Sequence, residues 1–242
     1  MLNIITLDEV DSTNNYLKQH RSELPDGTLV TAGLQTAGKG RRGHEWLADR
    51  GMLPLSLLLK QPPPHPDTLT LCAGVAVCEA LEQFLPGEEL GIKWPNDIIL
   101  RGHKLCGILC ESVCFGSSMD IICGIGVNLT QTAEFFERAN IPHGGSVEML
   151  TGIVLDNREK LAEDIAERLY AYTRTGFDAV REQYVSHCLT VGKRIRIIGN
   201  GAEREAFAEG IAPNGFLICS DESGRFEVNS GEVSVRGLMD YI

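Results

Sequence analysis

Apolar residues recur along this chain at two spacings, and the switches between them divide it into elements. Residues 2–7 read as a short strand, and the polar DSTNNYLKQH after it predicts a helix over Asn14 to His20, capped by Asp11, Ser12 or Thr13. TLVTAG, following the turn at Pro25 to Gly27, and MLPLSLLL at 52–59 predict two more strands, although Pro54 argues for an edge position in the second. A stiff PPPHP connector ends at Pro66, with Asp67 as the expected cap of the next helix. In that helix Leu71, Val75, Cys78, Leu81 and Leu85 form one stripe, ended by Pro86 and Gly87. LGIKW, IIL, KLCGILCESVCF and MDIICGIGVNL then follow with short connections at Pro95 to Asp97, at RGH and at Gly116 to Ser118, so the sheet they build is mainly antiparallel. Leu161, Ile165, Leu169 and Tyr172 mark a second long helix opened by Asp156, and another helix is predicted from Phe177 to Cys188. From Val191 onward KRIRIIG, EREAFAEGI, GFLICSD and EVSVRG alternate with NG, PNG and SG turns, the pattern of a small β-barrel.

The pattern is α+β: a mixed, mainly antiparallel sheet with helices on one face over residues 1–189, then a small barrel over 190–242. A chain of 242 residues has ample material for a core without a metal or disulfide staple. The eight cysteines include no Cys-x-x-Cys pair and the histidines lack metal-like spacing, which disfavours zinc and makes the thiols small buried hydrophobes. Reduced thiols point to the cytoplasm, and no secretory or membrane-spanning segment is expected. A formal net charge of -11 opposes general attraction to nucleic acid.

Against that acidic background, QTAGKGRRGHEW (35–46) places Gly38, Gly40 and Gly43 among Lys39, Arg41 and Arg42. Such a loop suits a small anion, since glycine lets the backbone approach and the cations neutralise; a solvated surface loop has the same composition. GLQTAGKG (33–40) falls short of a nucleotide-binding P-loop because Gly40 stands where a magnesium-binding hydroxyl belongs. KWPND (93–97) turns sharply at Pro95 and either presents Lys93, Asn96 and Asp97 together to phosphates and a metal, or closes a connection as an Asx-turn. Lys104 stands at the start of a strand with Gly107 three residues on, either as its wet end or pointing at a ligand or another backbone that the glycine lets come close. GIGVN (124–128) again combines strand glycines with a terminal Asn128, either for close approach or as packing with a turn asparagine. No Ser-His-Asp arrangement is apparent. A site rich in cations without its own nucleophile suits the joining of two anionic substrates, an acid and a nucleoside triphosphate.

Taken in order, DSTN (11–14), QTAGKGRRGHEW, KWPND, KLCGIL (104–109) and GIGVN closely resemble the biotin protein ligases over nearly the whole chain. The resemblance implies a class II synthetase-like catalytic domain with a C-terminal SH3-like barrel. It implies that biotin and ATP give biotinyl-5'-adenylate, and that a lysine of a biotin carboxyl carrier protein then takes the biotin. Ser12, Thr13, Asn14, Gln35, Gly38, Lys39, Gly40, Arg41, Lys104 and Gly107 would border biotin, and their polarity suits a ureido ring. Arg41, Arg42, Trp46, Lys93, Asn96, Asp97 and Asn128 would meet ATP, with Arg41, Lys104 and Lys93 catalytic and Mg2+ arriving with the nucleotide. Lys39 replaces the family's usual arginine and so loses its planar fork, and MLPLS replaces an aromatic-containing strand. No N-terminal extension of the repressor kind is seen, so a ligase without operator binding is expected, monomeric or homodimeric. A lipoate or octanoate ligase of the same fold, or a biotin-sensing protein without catalysis, are the alternatives.

Overall fold

The computed structural model describes residues 2–61, 64–116, 118–199, 202–231 and 233–237. Pro62 and Pro63 of the expected connector, Ser117 and the NG turn at 200–201 lie outside them. The first sheet has seven strands: β1 (Asn3–Val10), β2 (Thr28–Gln35), β3 (Met52–Leu59), β4 (Leu90–Lys93), β5 (Asp97–Leu100), β6 (His103–Phe115) and β7 (Ser118–Asn128). Their order is β1-β2-β3-β7-β6-β5-β4. Every pairing is antiparallel except β1 with β2, which are parallel and joined through helix α1 (Thr13–His20). That crossover accounts for the mixed character of the sheet, since parallel neighbours need a long connection.

Two long helices cover one face. In α2 (Leu69–Glu82) the predicted stripe is buried against the sheet, and its other sides are buried too, because α5 (Arg158–Thr175) lies over it. Leu161, Ile165 and Leu169 of α5 are all at 0% exposure. Two short helices, α3 (Ala133–Arg138) and α4 (Val147–Thr151), precede α5, and α6 (Arg181–His187) follows it. The opposite face is not bare: α1 lies there, its Leu17 packed with Val30, Leu58 and Ile122 in a separate small cluster.

Strand β3 lies in the interior of the sheet between β2 and β7, not at the edge that Pro54 suggested. Pairing of β3 with β2 stops at Leu55, so Pro54 stands just past it and leaves no ladder bond unmade on that side. Helix α2 begins without a side-chain cap; a 3-10 turn over Pro66–Thr68 leads into it, and Asp67 belongs to that turn.

The second sheet contains β8 (Arg194–Gly199), β9 (Ala202–Ile211), β10 (Leu217–Asp221), β11 (Gly224–Val228) and β12 (Ser234–Gly237), antiparallel in the order β11-β10-β9-β8-β12. It docks beside the β4–β5 turn through Trp94, which is 2% exposed. The indole N–H of Trp94 donates to Gly215 O at 3.1 Å, and its backbone N–H to Thr190 Oγ1 at 3.0 Å. A buried aromatic with its polar edge satisfied makes this contact between the two sheets specific.

Candidate functional site

The cleft lies on the α1 face of the first sheet and is roofed partly by the second. Its volume is about 280 Å3, and its walls come from the start of α1, the 39–46 segment, the β4–β5 turn, the middles of β6 and β7, and β12. Lys39, Arg41, Arg42, Lys93, Lys104 and Arg236 line it against two carboxylates, Glu45 and Asp97. A protein of net charge -11 thus gathers six of its 22 Lys and Arg at one concave surface, where the field favours an anionic ligand.

The glycine-rich segment is an ordered hairpin rather than an open loop. Trp46 N–H donates to Gly38 O at 3.0 Å and Gly40 N–H to His44 O at 2.7 Å, with the tip turned by Arg42 and Gly43 at φ of 57° and 78°. Gly38 faces the back of this hairpin, where a Cβ would stand 2.3 Å from the Trp46 carbonyl, and it does not line the main cleft. Lys39 donates to Asn15 Oδ1 of α1 at 2.8 Å. Arg41 is fixed at both ends of its fork: Nη1 donates to Asn96 Oδ1 at 2.8 Å and Nη2 to the Ser230 carbonyl. Arg42 donates to Ser234 Oγ at 3.1 Å. The second sheet therefore helps to hold the cationic segment. Burial pulls the Arg41 pKa down while Asp97 pushes it back, and a guanidinium remains charged throughout the physiological range.

The β4–β5 turn brings Lys93, Asn96 and Asp97 into the cleft together. Asn96 donates to Asp97 Oδ1 at 3.0 Å and to the Ile108 carbonyl of β6 at 3.2 Å, so its amide ties the turn to the neighbouring strand. Lys104 Nζ pairs with the same Asp97 Oδ1 at 2.7 Å. Lys93 is 7% exposed. Burial, aided by Lys104 and Arg236 and opposed by Asp97, pulls its pKa down to about 8.

Three strand glycines shape the floor. Gly107 and Gly126 face each other across β6 and β7, and the indole of Trp46 rests on them: a Cβ at either would come within 2.7 Å of the ring. Trp46 Nε1 approaches Met52 Sδ at 2.7 Å, and Lys104 Nζ stands 5.0 Å from the ring centroid, within cation–π range. The close approach foreseen at Gly107 is thus made by an aromatic side chain. Gly124 is opposite Leu109, and a Cβ there would be 2.3 Å from Asn14 Oδ1.

At the α1 end, Ser12 both caps the helix, accepting from Asn15 N–H at 3.5 Å, and lines the cleft. The Thr13 backbone N–H donates to Gln35 Oε1 at 2.8 Å, fixing that amide. Asn14 Nδ2 donates to Glu111 Oε2 at 2.7 Å. Asn128, like Gly38, is a predicted site residue that stands apart from the cleft. It is 5% exposed, does not line the cleft, and donates to Gly145 O at 3.1 Å while accepting from Gln131 at 3.2 Å.

Sequence reasoning passed over Ser56, Glu111 and the β12 residues Ser234, Val235 and Arg236. Ser56 had a visible signal, a lone hydroxyl in the apolar run MLPLSLLL. Arg236 had none, because an alternating VSVRG strand reads as barrel surface until docking is known.

Comparison with known proteins places this geometry. Residues 7–128 match the biotin/lipoate A/B protein ligase family and residues 190–236 the biotin protein ligase C terminal domain. The biotin--[acetyl-CoA-carboxylase] ligase of Paracoccus denitrificans is 32% identical, covering 96% of this chain and 100% of its own. The enzyme of that name from Mycobacterium tuberculosis is 32% identical, over 86% of this chain and 79% of its own. The solved biotin protein ligase from Aquifex aeolicus in complex with biotin and ATP superposes with a TM-score of 0.84, at 31% identity, covering 98% and 100% of the two chains.

Proposed function

Because the chain belongs to the biotin/lipoate A/B protein ligase family, we propose that its cleft activates biotin with ATP and passes the biotinyl group to a lysine of a carboxyl carrier protein. The observation that carries this reading is the convergence of Arg41, Lys93 and Lys104 from three separate segments onto one cleft, beside the polar cluster of Thr13, Asn14 and Gln35. The ureido ring belongs with that cluster, and the carboxylate reaches Arg41 and Lys104. A carboxylate and a triphosphate repel one another by about 4 kcal/mol per pair of unit charges 4 Å apart at an effective dielectric near 20, and one or two fixed cations reverse the sign.

In the first step a biotin carboxylate oxygen attacks the α-phosphorus and the bond to the β,γ-pyrophosphate breaks. Arg41 faces the charge that builds on the α-phosphate, and Lys93 with Arg42 receives the leaving pyrophosphate. In the second step the acceptor lysine amine attacks the acyl carbon, releases AMP, and loses its proton to solvent. Magnesium would arrive with the nucleotide, where it would offset phosphate charge, and Asp97 would be a carboxylate able to hold it. Residues 1–189 carry the reaction in this reading, and 190–242 complete the cleft through Ser230 and Arg236. No helix among the described residues is long and apolar enough to cross a membrane. We place the reaction in the cytoplasm, where eight free cysteines stay reduced.

The test is exchange of labelled pyrophosphate into ATP with biotin, lipoate or octanoate. Exchange with biotin alone is the expected result, and exchange with lipoate or octanoate alone, or with none, would overturn it.

Two further outcomes are expected. Burial holds the Lys93 pKa down at about 8 against an ordinary 10.5, so this lysine loses its proton as pH rises through 8 and its hold on phosphate weakens. The KM for ATP should therefore climb between pH 7 and 9, and Lys93→Arg should flatten the climb, since a guanidinium keeps its proton. For stability the sign is opposite: the unfolded chain binds more protons between pH 8 and 10.5, so the burial penalty on this lysine is fully present below 8 and fades as pH rises. Gly124→Ala would drive a methyl into Asn14 Oδ1. Its KM for biotin is expected to rise roughly 10-fold or more while KM for ATP holds, as read from exchange kinetics.

A further inference from the structure

Ser56 is fully buried on β3 beneath the α1 end of the cleft, in an otherwise apolar strand. Its Oγ is 2.6 Å from Asn14 Oδ1 and 2.7 Å from Thr13 Oγ1, while Thr13 Oγ1 is 2.9 Å from Gln35 Oε1. The two amides cannot turn round to help. The Thr13 backbone N–H fixes Gln35 with Oε1 inward, and Glu111, itself paired with Lys18 at 2.5 Å, fixes Asn14 with Nδ2 outward and Oδ1 toward Ser56. Four oxygens are therefore linked by three short contacts, and only the two hydroxyls carry protons.

Neither amide oxygen can donate, so the contact with Asn14 needs the Ser56 proton and the contact with Gln35 needs the Thr13 proton. The Ser56–Thr13 contact is then left without one. If Thr13 donates to Ser56 instead, Gln35 keeps only its backbone donor. In every arrangement the cluster is one proton short, and it is richer in acceptors than in donors where it meets the cleft.

We propose that Ser56 is a positioning residue that holds Thr13 and Asn14 as an acceptor array, so that this end of the cleft selects a ligand bringing N–H groups. Under the proposed function, on which this rests, the ligand groups are the ureido N–H donors of biotin. A ring N–H supplies what the cluster lacks, whereas a dithiolane or an alkyl chain brings no donor and leaves the buried acceptors short. The lone polar position in β3 thereby becomes a determinant of substrate class.

The experiment compares wild type, Ser56→Ala and Ser56→Cys for biotin, desthiobiotin and a biotin derivative methylated on a ureido nitrogen, by exchange kinetics and by calorimetric binding. Ser56→Ala should raise KM for biotin and for desthiobiotin, which keeps the ureido ring, by roughly 10- to 100-fold, with kcat and KM for ATP within about threefold. The methylated derivative, weak with wild type, should weaken by less than about threefold further, because the donor it lacks is the one the array receives. Ser56→Cys, which keeps the volume with a poorer donor, should fall between and carries the same comparison if the alanine variant does not fold. Unchanged biotin KM in either folded variant, or an equal rise in the KM values of biotin and ATP, would overturn the role of Ser56. Absence of biotin-dependent exchange in wild type would instead overturn the functional reading itself.

Discussion

Replacing Arg41 by alanine is expected to slow biotin-dependent pyrophosphate exchange by about 10²- to 10³-fold, the cost of removing one preorganised donor to developing charge. The expectation rests on how the side chain is held. Asn96 grips one end of its fork and the Ser230 carbonyl the other, so the charge is already aimed into the cleft and no reorganisation accompanies the chemical step. Arg41→Lys should recover little, because a point charge on a flexible stem cannot engage both anchors and a phosphate together. Biotin affinity measured without nucleotide should change far less than the exchange rate. Near-normal exchange in Arg41→Ala would remove this residue from adenylate formation.

Loss of Lys104 is expected to be at least as severe, for two reasons that act in the same direction. The ammonium that meets the substrate carboxylate disappears, and Asp97, its partner at 2.7 Å, loses one of the cations that offset its charge where the anions must enter. Exchange in Lys104→Ala should fall by about 10³-fold. The double variant Lys104→Ala with Asp97→Asn should recover part of that loss, since the repulsive charge goes too. Both side chains are mostly buried, so Lys104→Ala should also lower the melting temperature, and Asp97→Asn in the double variant should restore part of it. A single variant with near-normal exchange, or a double variant worse than the single, would contradict this account.

The large features of the fold were legible because they obey simple periods. The stripe that starts at Leu71 became α2, which ends at Glu82 and leaves Leu85 just beyond it, the series from Leu161 became α5, and the hairpin series from Leu90 to Asn128 became β4 to β7. The parallel pairing of β1 with β2 was not legible, since alternation along one strand carries no information about the direction of its neighbour. Helices α3 and α4 escaped because six and five residues are too few to establish a stripe. Pro54 misled for a related reason: its cost depends on where the β2 pairing ends, which is a property of the neighbouring strand.

At the site, residue types revealed charge but not orientation. The cations of the 39–46 segment and Lys104 were visible as chemistry, yet nothing in the string says that Lys39 is turned toward Asn15 while Arg41 reaches Asn96. Gly38 and Gly107 were read as making room for ligand. Gly38 makes room for backbone and Gly107 for Trp46, and the composition of a glycine-rich motif cannot separate these uses. Arg236 depends on the docking of one sheet against another, and no local pattern encodes that.

The chain has only two tryptophans, and their placement gives the protein an optical gauge of its own occupancy. Trp94 is sealed at the junction of the sheets, so its emission stays constant while that junction holds. Trp46 rests on the glycine floor with a lysine and a sulfur atom beside it, both neighbours whose distance governs quenching. A shift of that indole on nucleotide entry would change the intrinsic fluorescence without any attached dye, and the spectrum could be followed in stopped flow as the cleft fills.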